Sequence, residues 1–518
     1  MSLKLQAAKN VSATWLSLAV HAVVGFFLSP FILHRLGDDA FSLWVLVFSL
    51  TGYYGLLDLG VRTSIVRYVA KFAATGDEEQ LARFLTTSLA FYVVVGLVIL
   101  LLTAVGFFYL SVLFHIPRNL LGIARVLFLL GGVGVALSFP LGVFAALLEG
   151  MQKFSWVQLS QTGITLLRGA LIFIAVSYDG RLLAVGVITV VINLVSYLVL
   201  AWMAFRAFPL HFFSLRQVDG RAFRKLLGYG SFAFLILVAE KLRFHSDPIV
   251  IGAFLSSTAI TYFSIGARLV EYSTYAVRSM AQIFTPMSSQ FAATGDFVRL
   301  RQTLIAGNRA CALIILPLTV ILLILGKPII AAWVGARYVS SYSVLAVLAV
   351  PRAIYLAQST STRILLGMGR HRMLAFVLLL EGGVNVILST LLVRRFGIVG
   401  VAVGTAIPLT CTSLFFLPRH ICRQLQIPIG AFLKQTYLLP LGLCIPMTAL
   451  LAFLQHEFPV QSFSGLSLEV TCGGAIYCAT FCLTLLALRP VNVSSWNALT
   501  QVLGYNQNSQ SRGSSWVL

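Results

Sequence analysis

This chain of 518 residues has few charges, since only 10% of its residues are Asp, Glu, Lys or Arg, while 59% are hydrophobic. Soluble domains carry about 25% charged residues, so this composition excludes a soluble protein. The seven cysteines have no paired spacing, which argues against a disulfide framework or a cysteine metal site. No phosphate-cradling loop, nucleophile elbow or cluster of His, Cys and carboxylates occurs, so nothing indicates ATP hydrolysis or a metal centre.

What the chain has instead is a series of long apolar runs, and a transmembrane helix needs about 20 such residues. Because the runs are continuous and do not alternate with polar residues, they predict helices and not barrel strands. The predicted spans are 11–33, 41–59, 88–114, 124–147, 156–178, 182–205, 231–255, 259–284, 306–325, 341–365, 373–393, 397–417, 438–454 and 466–488. We therefore predict an all-α polytopic membrane protein of about 14 transmembrane helices.

Lys and Arg residues fall mainly in the breaks on one side of these spans. The bias is roughly threefold if the N-terminus is cytoplasmic, and an even number of spans then places the C-terminus there as well. Acidic residues number 16 against 37 Lys and Arg. Much of the excess positive charge is thus a positive-inside signature with attraction to anionic lipid, and it does not indicate nucleic-acid binding.

The six-residue word FAATGD occurs twice, at 72–77 and at 291–296, in polar breaks between apolar runs. The offset of 219 residues places the first span on the seventh, so each copy of the repeat comprises six spans. An even number of spans per copy makes the two lobes parallel, related by a pseudo-two-fold axis along the membrane normal. Each FAATGD loop is predicted to cap a helix junction.

Five segments follow from this repeat. Residues 1–205 are predicted to form the N-terminal six-helix lobe, and residues 231–417 the C-terminal six-helix lobe. Between them, residues 206–230 alternate basic and apolar residues, which indicates an amphipathic cytoplasmic linker on the membrane surface. Residues 418–488 are predicted to contain a second linker and two extra helices, and residues 489–518 a cytoplasmic tail.

Charged side chains inside a bilayer cost at least about 2.5 kcal/mol each on insertion scales, so they are functional candidates. They concentrate in two predicted spans: Glu240, Lys241, Arg243 and Asp247 in the seventh, and Arg268, Glu271 and Arg278 in the eighth. Their spacings place most of each set on one helix face. The excess of bases suits an anionic headgroup, and Arg binds phosphate in bidentate fashion.

We therefore predict headgroup contacts from the four bases, Lys241, Arg243, Arg268 and Arg278. The three acids, Glu240, Asp247 and Glu271, are predicted to orient these bases and to couple a cation or proton. The alternative is that the charges form structural pairs: Glu240 with Arg243 or Lys241, Arg243 with Asp247, and Arg268 with Glu271. No resident cofactor or metal is predicted.

Several further residues are secondary candidates: His21, Asp58, Arg62, Arg168 and Arg352. His21 matches Glu240 under the repeat offset, with packing as its alternative role. Asp58 and Arg62 are spaced i, i+4, which predicts an ion pair at a helix end. Glu381 and Glu469 are single acids within the eleventh and fourteenth spans, where either could serve as a proton or cation site.

The stretch from Leu36 to Gly76 contains LLDLG (56–60) followed by VRYVA (66–70). It resembles the signature region of bacterial polysaccharide-export flippases of the multidrug/oligosaccharidyl-lipid/polysaccharide exporter (MOP) superfamily. This resemblance implies a fold like that of the multidrug transporters of that superfamily. It also implies transport by alternating access, with a polyprenyl-diphosphate-linked oligosaccharide moved to the outer leaflet of the inner membrane for lipopolysaccharide or exopolysaccharide synthesis. The implied partners are the lipid-linked oligosaccharide, membrane lipids and the polymerase and chain-length machinery.

Two other functions remain open at the level of the sequence. A drug or cation antiporter of the same fold would require an acidic or aromatic cavity. A membrane glycan polymerase or ligase, which would be an enzyme, would require acid and base residues on the outer side. The outer breaks are short and offer few: Asp38, Asp39, Asp179, His456 and Glu457.

Overall fold

The computed structural model describes residues 3–178, 180–207, 218–282, 284–370, 372–458 and 463–488. These residues form nineteen α-helices and contain no strand, which confirms the all-α prediction. In chain order the helices are α1 Leu3–Leu36, α2 Asp38–Gly52, α3 Val61–Thr75, α4 Glu78–Leu113, α5 Leu121–Gly150, α6 Phe154–Tyr178, α7 Leu182–Ala207, α8 Gly220–Phe244, α9 Asp247–Phe254, α10 Ser257–Ala281, α11 Phe284–Ala293, α12 Phe297–Ile324, α13 Gly326–Val334, α14 Tyr342–Ala357, α15 Ser359–Gly367, α16 Arg372–Cys411, α17 Leu417–Leu425, α18 Ile429–Glu457 and α19 Phe463–Leu488.

Eleven helical stretches of the described chain are long and apolar enough to cross a membrane, as expected for a multi-pass membrane protein. One of them, Arg372–Leu425, covers two predicted spans. Gly397 interrupts α16 there with φ 58° and ψ −138°, so α16 has two limbs that meet at this residue. The predicted seventh and eighth spans form α8, α9 and α10, which are not among the eleven. The helix α9 has only 8 residues, and α8 and α10 carry the other six of the seven clustered charges.

Both FAATGD loops connect two helices in the predicted way. Gly76 and Gly295 adopt positive φ values of 67° and 69°, a conformation that glycine enters at little cost. The following residue, Asp77 or Asp296, caps the next helix: its side chain accepts the N–H three positions further on at 3.0 Å. The capping prediction is confirmed for both copies.

The LLDLG segment also has a defined backbone. A short 3₁₀ helix covers Tyr53–Asp58, and the next two residues, Leu59 and Gly60, both have positive φ. Leu59 is in the left-handed region, which a residue with a Cβ enters at a cost of roughly 1–2 kcal/mol. The chain therefore turns sharply here before α3 begins at Val61.

By packing, the described residues divide into two compact units. Unit 1 comprises residues up to 275 together with 330–348 and 372–412. One apolar core of this unit joins α3, α4, α5 and α7 through fully buried side chains, among them Ile65, Leu85, Leu147 and Leu200. A buried hydrogen bond adds α8 to this core, since the Ser64 hydroxyl donates to the carbonyl of Leu226 at 2.8 Å.

A second group of contacts in unit 1 surrounds the start of α2. The Asp38 carboxylate, only 8% exposed, accepts a hydrogen bond from the Tyr338 hydroxyl and pairs with Arg337 at 2.7 Å. The carbonyl of Asp38 also accepts the Thr261 hydroxyl at 2.8 Å. Asp39 accepts the Ser257 hydroxyl at 3.0 Å. These bonds fix α2 to α10 and to the segment before α14.

Unit 2 comprises residues 276–329, 349–371 and those from 413 onwards. The amide of Asn308 donates to Ser361 at 2.7 Å, which links α12 to α15. The predicted two extra helices are α18 and α19, and they pack on α12 around buried Leu325, Met447 and Leu451. Tyr477 of α19 strengthens this packing by donating its hydroxyl to the carbonyl of Leu313 at 2.9 Å.

The lobe boundaries that the repeat predicts stay a prediction. Residues 208–217 of the predicted linker and the whole predicted tail, 489–518, lie outside the described residues. The end of the linker is helical, because α8 begins at Gly220 and continues into the predicted seventh span.

Candidate functional site

A buried polar network in unit 1 connects the break between α8 and α9 to α16. Arg243 and Glu381 form an ion pair there, with Nε of the guanidinium donating to Oε1 of the carboxylate. The two residues are 3% and 4% exposed, so the pair is removed from both water and lipid. Burying both charges is costly, and only close pairing with further hydrogen bonds compensates for that cost.

The rest of this network explains why a polar break is stable at this point. Asn385, one turn beyond Glu381, donates to the carbonyls of Leu242 at 3.3 Å and Arg243 at 3.0 Å. These carbonyls belong to the last turn of α8, where the helix itself supplies no N–H partner. Proline at the first turn of α9 suits a new helix start.

Asp247 at the start of α9 completes the network. The Thr405 hydroxyl lies 3.0 Å from Oδ1 of Asp247 and 3.1 Å from Oδ1 of Asn385. We call Arg243, Asp247, Glu381, Asn385 and Thr405 the α8–α16 network. The network thus brings two acids and one base together with an amide and a hydroxyl.

A second group in unit 1 is half-exposed. The Arg268 guanidinium donates to the Ser29 hydroxyl at 3.0 Å, and its Cζ atom lies 5.6 Å from the centre of the Phe41 ring. Nδ1 of His21 lies 3.3 Å from the Thr165 hydroxyl. Two charged groups, Arg168 and the exposed Glu271, lie within electrostatic range of His21.

We call His21, Ser29, Arg168, Arg268 and Glu271 the α1–α10 polar face. Arg168 donates to the Asn193 amide oxygen at 3.2 Å, a neutral partner that leaves its charge uncompensated by that contact. Its two arginines and one glutamate carry a net positive charge. Charged groups that stay partly exposed at membrane depth are expected to face water and not lipid, so this face suits an anion.

The remaining predicted bases are divided between the units. Lys241 and Glu240, both half-buried, follow each other in the last turn of α8 in unit 1. The Tyr53 hydroxyl donates to the backbone carbonyl of Lys241 at 3.1 Å. Arg278 and Arg352 are half-buried residues of unit 2. The Cζ atom of Arg352 lies 5.9 Å from the ring centre of Tyr355, one turn along α14.

The predicted ion pair between Asp58 and Arg62 is not the pairing that forms. Arg62 bonds the carboxylate of Glu149 at the end of α5 at 2.7 Å, while the Tyr92 hydroxyl donates to Asp58. The contact between Asp58 and Arg62 is a hydrogen bond from the backbone N–H of Arg62 to the Asp58 carboxylate, at 3.4 Å. The i, i+4 rule requires a continuous helix, and the left-handed Leu59 interrupts the helix between the two side chains.

Several residues of these contacts are not candidates that the sequence pattern identifies: Ser29, Tyr92, Glu149, Asn385 and Thr405. One of them had a detectable signal. Glu381 and Asn385 stand i, i+4 in an apolar run, so a helix presents both polar side chains on one face. The others are single polar residues, which such patterns do not distinguish from ordinary helix positions.

The comparisons with known proteins identify the family. A family model described as "Polysaccharide biosynthesis protein" matches residues 7–292, more than half of the chain. The chain belongs to this family. Among curated relatives, the "Uncharacterized membrane protein EpsK" of Bacillus subtilis (strain 168) is 23% identical over 82% of this chain and 85% of its own length. A "Putative O-antigen transporter" of Shigella flexneri is 20% identical over 74% of this chain and 90% of its own length.

A solved structure confirms the predicted fold. The "Lipid II flippase MurJ, inward closed conformation" superposes with a TM-score of 0.68 at 16% identity, covering 91% of this chain and 99% of its own. The fold is therefore that of the MOP superfamily, to which flippases and multidrug transporters belong. The resemblance that LLDLG and VRYVA indicated is confirmed, since both motifs lie within the matched residues.

Proposed function

We propose that this protein is a flippase that moves a polyprenyl-diphosphate-linked oligosaccharide from the inner to the outer leaflet of the bacterial inner membrane. The product serves surface polysaccharide biosynthesis, and both termini are cytoplasmic. Family membership supports this proposal, as does the similarity to a putative O-antigen transporter and to a lipid II flippase with the same fold. The observation that carries it is the net positive α1–α10 polar face.

The headgroup is bound by bases that remain partly exposed. Arg168 and Arg268 of the polar face bind the diphosphate, because a guanidinium matches two phosphate oxygens at once. Lys241 adds a third positive charge in unit 1. Arg278 and Arg352 belong to unit 2, where each is a separate candidate for an anion contact. Arg243 takes no direct part, since its charge is already paired with Glu381 in the buried network.

The acids orient these bases and couple transport to a cation or a proton. Glu271 lies on the polar face one turn from Arg268, where it limits the net positive charge of that face. Glu240 neighbours Lys241 in α8. Asp247 belongs to the α8–α16 network, where its carboxylate would take up the coupling cation or proton. Occupancy of that network would then change the break between α8 and α9.

The geometry gives little support to the enzyme alternative. Asp38 is buried and paired with Arg337, and Asp39 bonds Ser257, so both are engaged in packing contacts. Nδ1 of His456 lies 3.1 Å from the neighbouring Glu457 carboxylate on the exposed end of α18, a pairing that isolated helix ends commonly form. Asp179 lies outside the described residues. The protein acts as a transporter, with the polysaccharide polymerase and chain-length machinery as partners.

Export of the glycan in a strain that lacks its own flippase tests the proposal. The double variant Arg268→Gln/Arg278→Gln should abolish surface glycan while the protein remains folded in the membrane. The matched control is Arg83→Gln. It removes an exposed arginine that pairs with Glu79 at 2.6 Å and that is not among the proposed headgroup contacts. Full export by the double variant would refute the site. Drug resistance conferred by the wild type in a sensitised strain, without glycan export, would favour the antiporter.

A further inference from the structure

The helix α17, which connects the second limb of α16 to α18 in unit 2, has two unlike faces. Its apolar residues Leu417, Ile421, Cys422 and Leu425 are at most 3% exposed. Its two arginines, Arg419 and Arg423, are exposed on the other side, as is Lys434 in the second turn of α18. We call Arg419, Arg423 and Lys434 the α17 basic rim.

The position of α17 is fixed by other cations, so the rim is not required for that purpose. Nε of Arg301 donates to the carbonyl of Leu425 at 2.7 Å, which satisfies an unpaired carbonyl at the helix end. Arg370 donates to the side-chain oxygen of Gln424. By contrast, Arg419 bonds only the carbonyl of Phe415 on its own chain at 3.0 Å, a contact that leaves its charge uncompensated.

Acidic residues are almost absent from this part of the chain. Between Asp296 and Glu457 stands one acid, Glu381, against fourteen Lys and Arg. Glu381 belongs to unit 1 and is paired with Arg243. Within the part of the chain that the structure describes, no carboxylate forms an ion pair with any residue of the rim. These exposed charges are therefore available to an anion from outside the chain.

Exposed apolar side chains flank the rim on both sides. Leu414 and Phe415 precede α17 with 45% and 51% exposure, and Ile429 and Leu433 follow it with 38% and 41%. Arg419 bridges the two kinds of surface, because its Cζ atom lies 5.6 Å from the ring centre of Phe415. Exposed cations and exposed apolar side chains within one short stretch of chain are together complementary to an amphiphile with an anionic headgroup.

We propose that the α17 basic rim binds the headgroup of an anionic phospholipid, whose acyl chains lie against the flanking apolar residues. A phospholipid fits better than a soluble anion because it matches both halves of the surface. Each Lys or Arg close to an anionic membrane surface contributes about 1 kcal/mol, or about fivefold in affinity. Removing two of the three cations should therefore lower the preference for anionic lipid about 25-fold.

The test uses the full chain in detergent micelles with a photoactivatable phosphatidylglycerol. Chymotryptic peptides covering 412–437 are quantified after illumination, with the phosphatidylcholine analogue of identical acyl chains as the reference. We expect strong labelling by phosphatidylglycerol, and a loss of tenfold or more in Arg419→Gln/Arg423→Gln. The conservative variant Arg419→Lys/Arg423→Lys should retain it, which separates charge from misfolding. Arg394→Gln/Arg395→Gln, an exposed arginine pair at the turn of α16, is the matched control and should label like wild type.

Equal labelling by the phosphatidylcholine analogue would overturn the proposal, because the contact would then be apolar only. Displacement by millimolar glycerol phosphate as effectively as by unlabelled phosphatidylglycerol would identify a site for soluble anions and overturn it too. Unchanged labelling of Arg419→Gln/Arg423→Gln would overturn the proposal, because it would show that the α17 basic rim does not bind the lipid.

Discussion

The buried pair between Arg243 and Glu381 allows a quantitative prediction. Replacing Glu381 by Leu leaves the Arg243 guanidinium without its counter-ion at a site where Arg243 is only 3% exposed. Surface ion pairs contribute about 0–1 kcal/mol, but a buried charge left alone costs about 3–5 kcal/mol. We therefore expect Glu381→Leu to lower the free energy of unfolding by about 3–5 kcal/mol.

The double variant Arg243→Met/Glu381→Leu removes both charges and should recover most of that loss. Replacing a buried pair by apolar residues of similar volume is often neutral or stabilising. The difference between the double variant and the sum of the single variants should thus exceed about 2 kcal/mol. Unfolding can be followed in detergent by the reaction of the buried thiols of Cys311 and Cys444 with a thiol-specific fluorophore.

Two results of this cycle are informative. Wild-type stability of the single variant Glu381→Leu would refute the reasoning, since it would mean that Arg243 is solvated without its partner. A double variant that is stable but exports no glycan would show that the pair takes part in transport and is not only structural. The control Arg83→Gln, at an exposed pair, should change the free energy of unfolding by less than about 1 kcal/mol.

Three further predictions concern single contacts. Gly404→Ala should lower the free energy of unfolding by about 1–3 kcal/mol in the same thiol assay, because the added Cβ would lie 2.5 Å from a backbone nitrogen of the opposing limb of α16. The control Gly383→Ala has nothing within 4 Å of the added Cβ and should be neutral or slightly stabilising. Tyr92→Phe should cost about 1–3 kcal/mol in denaturant titrations, since it removes the donor to Asp58, and an unchanged midpoint would contradict that hydrogen bond. Asp38→Asn should speed proteolysis between α13 and α14, because it removes the ion pair that attaches Arg337 of this segment to Asp38. An unchanged cleavage rate would argue against this attachment.

Structural features that depend on residues close to one another in the sequence could be predicted. The apolar runs identified the helices, because a backbone in lipid must satisfy its hydrogen bonds within each helix. The FAATGD loops could be predicted as helix caps because a positive φ favours Gly and an N-cap favours a short acceptor such as Asp. The predicted ion pair between Asp58 and Arg62 was wrong, because the left-handed conformation of Leu59, which the sequence did not indicate, changes the direction of the chain.

Pairings between distant helices could not be predicted in this way. Arg62 and Glu149 are 87 residues apart, and Arg243 and Glu381 are 138 apart. Helical periodicity states which face a residue occupies but not which helix packs against that face. The clustered charges were correctly placed on helices, yet the choice of Glu381 as the partner of Arg243 depends on the packing of α8 against α16.

The separation between Arg243 and its partner also affects how the chain is made. At a synthesis rate of about 5–20 residues per second, the 138 intervening residues take roughly 7–28 s to appear. During that interval α8 carries a guanidinium that lipid alone does not accommodate, and the hydrogen bond from Thr405 to Asp247 forms only after Thr405 has been synthesised. A nascent chain interrupted before α16 should therefore be retained by the insertion machinery, and its seventh span should enter the bilayer only when α16 arrives.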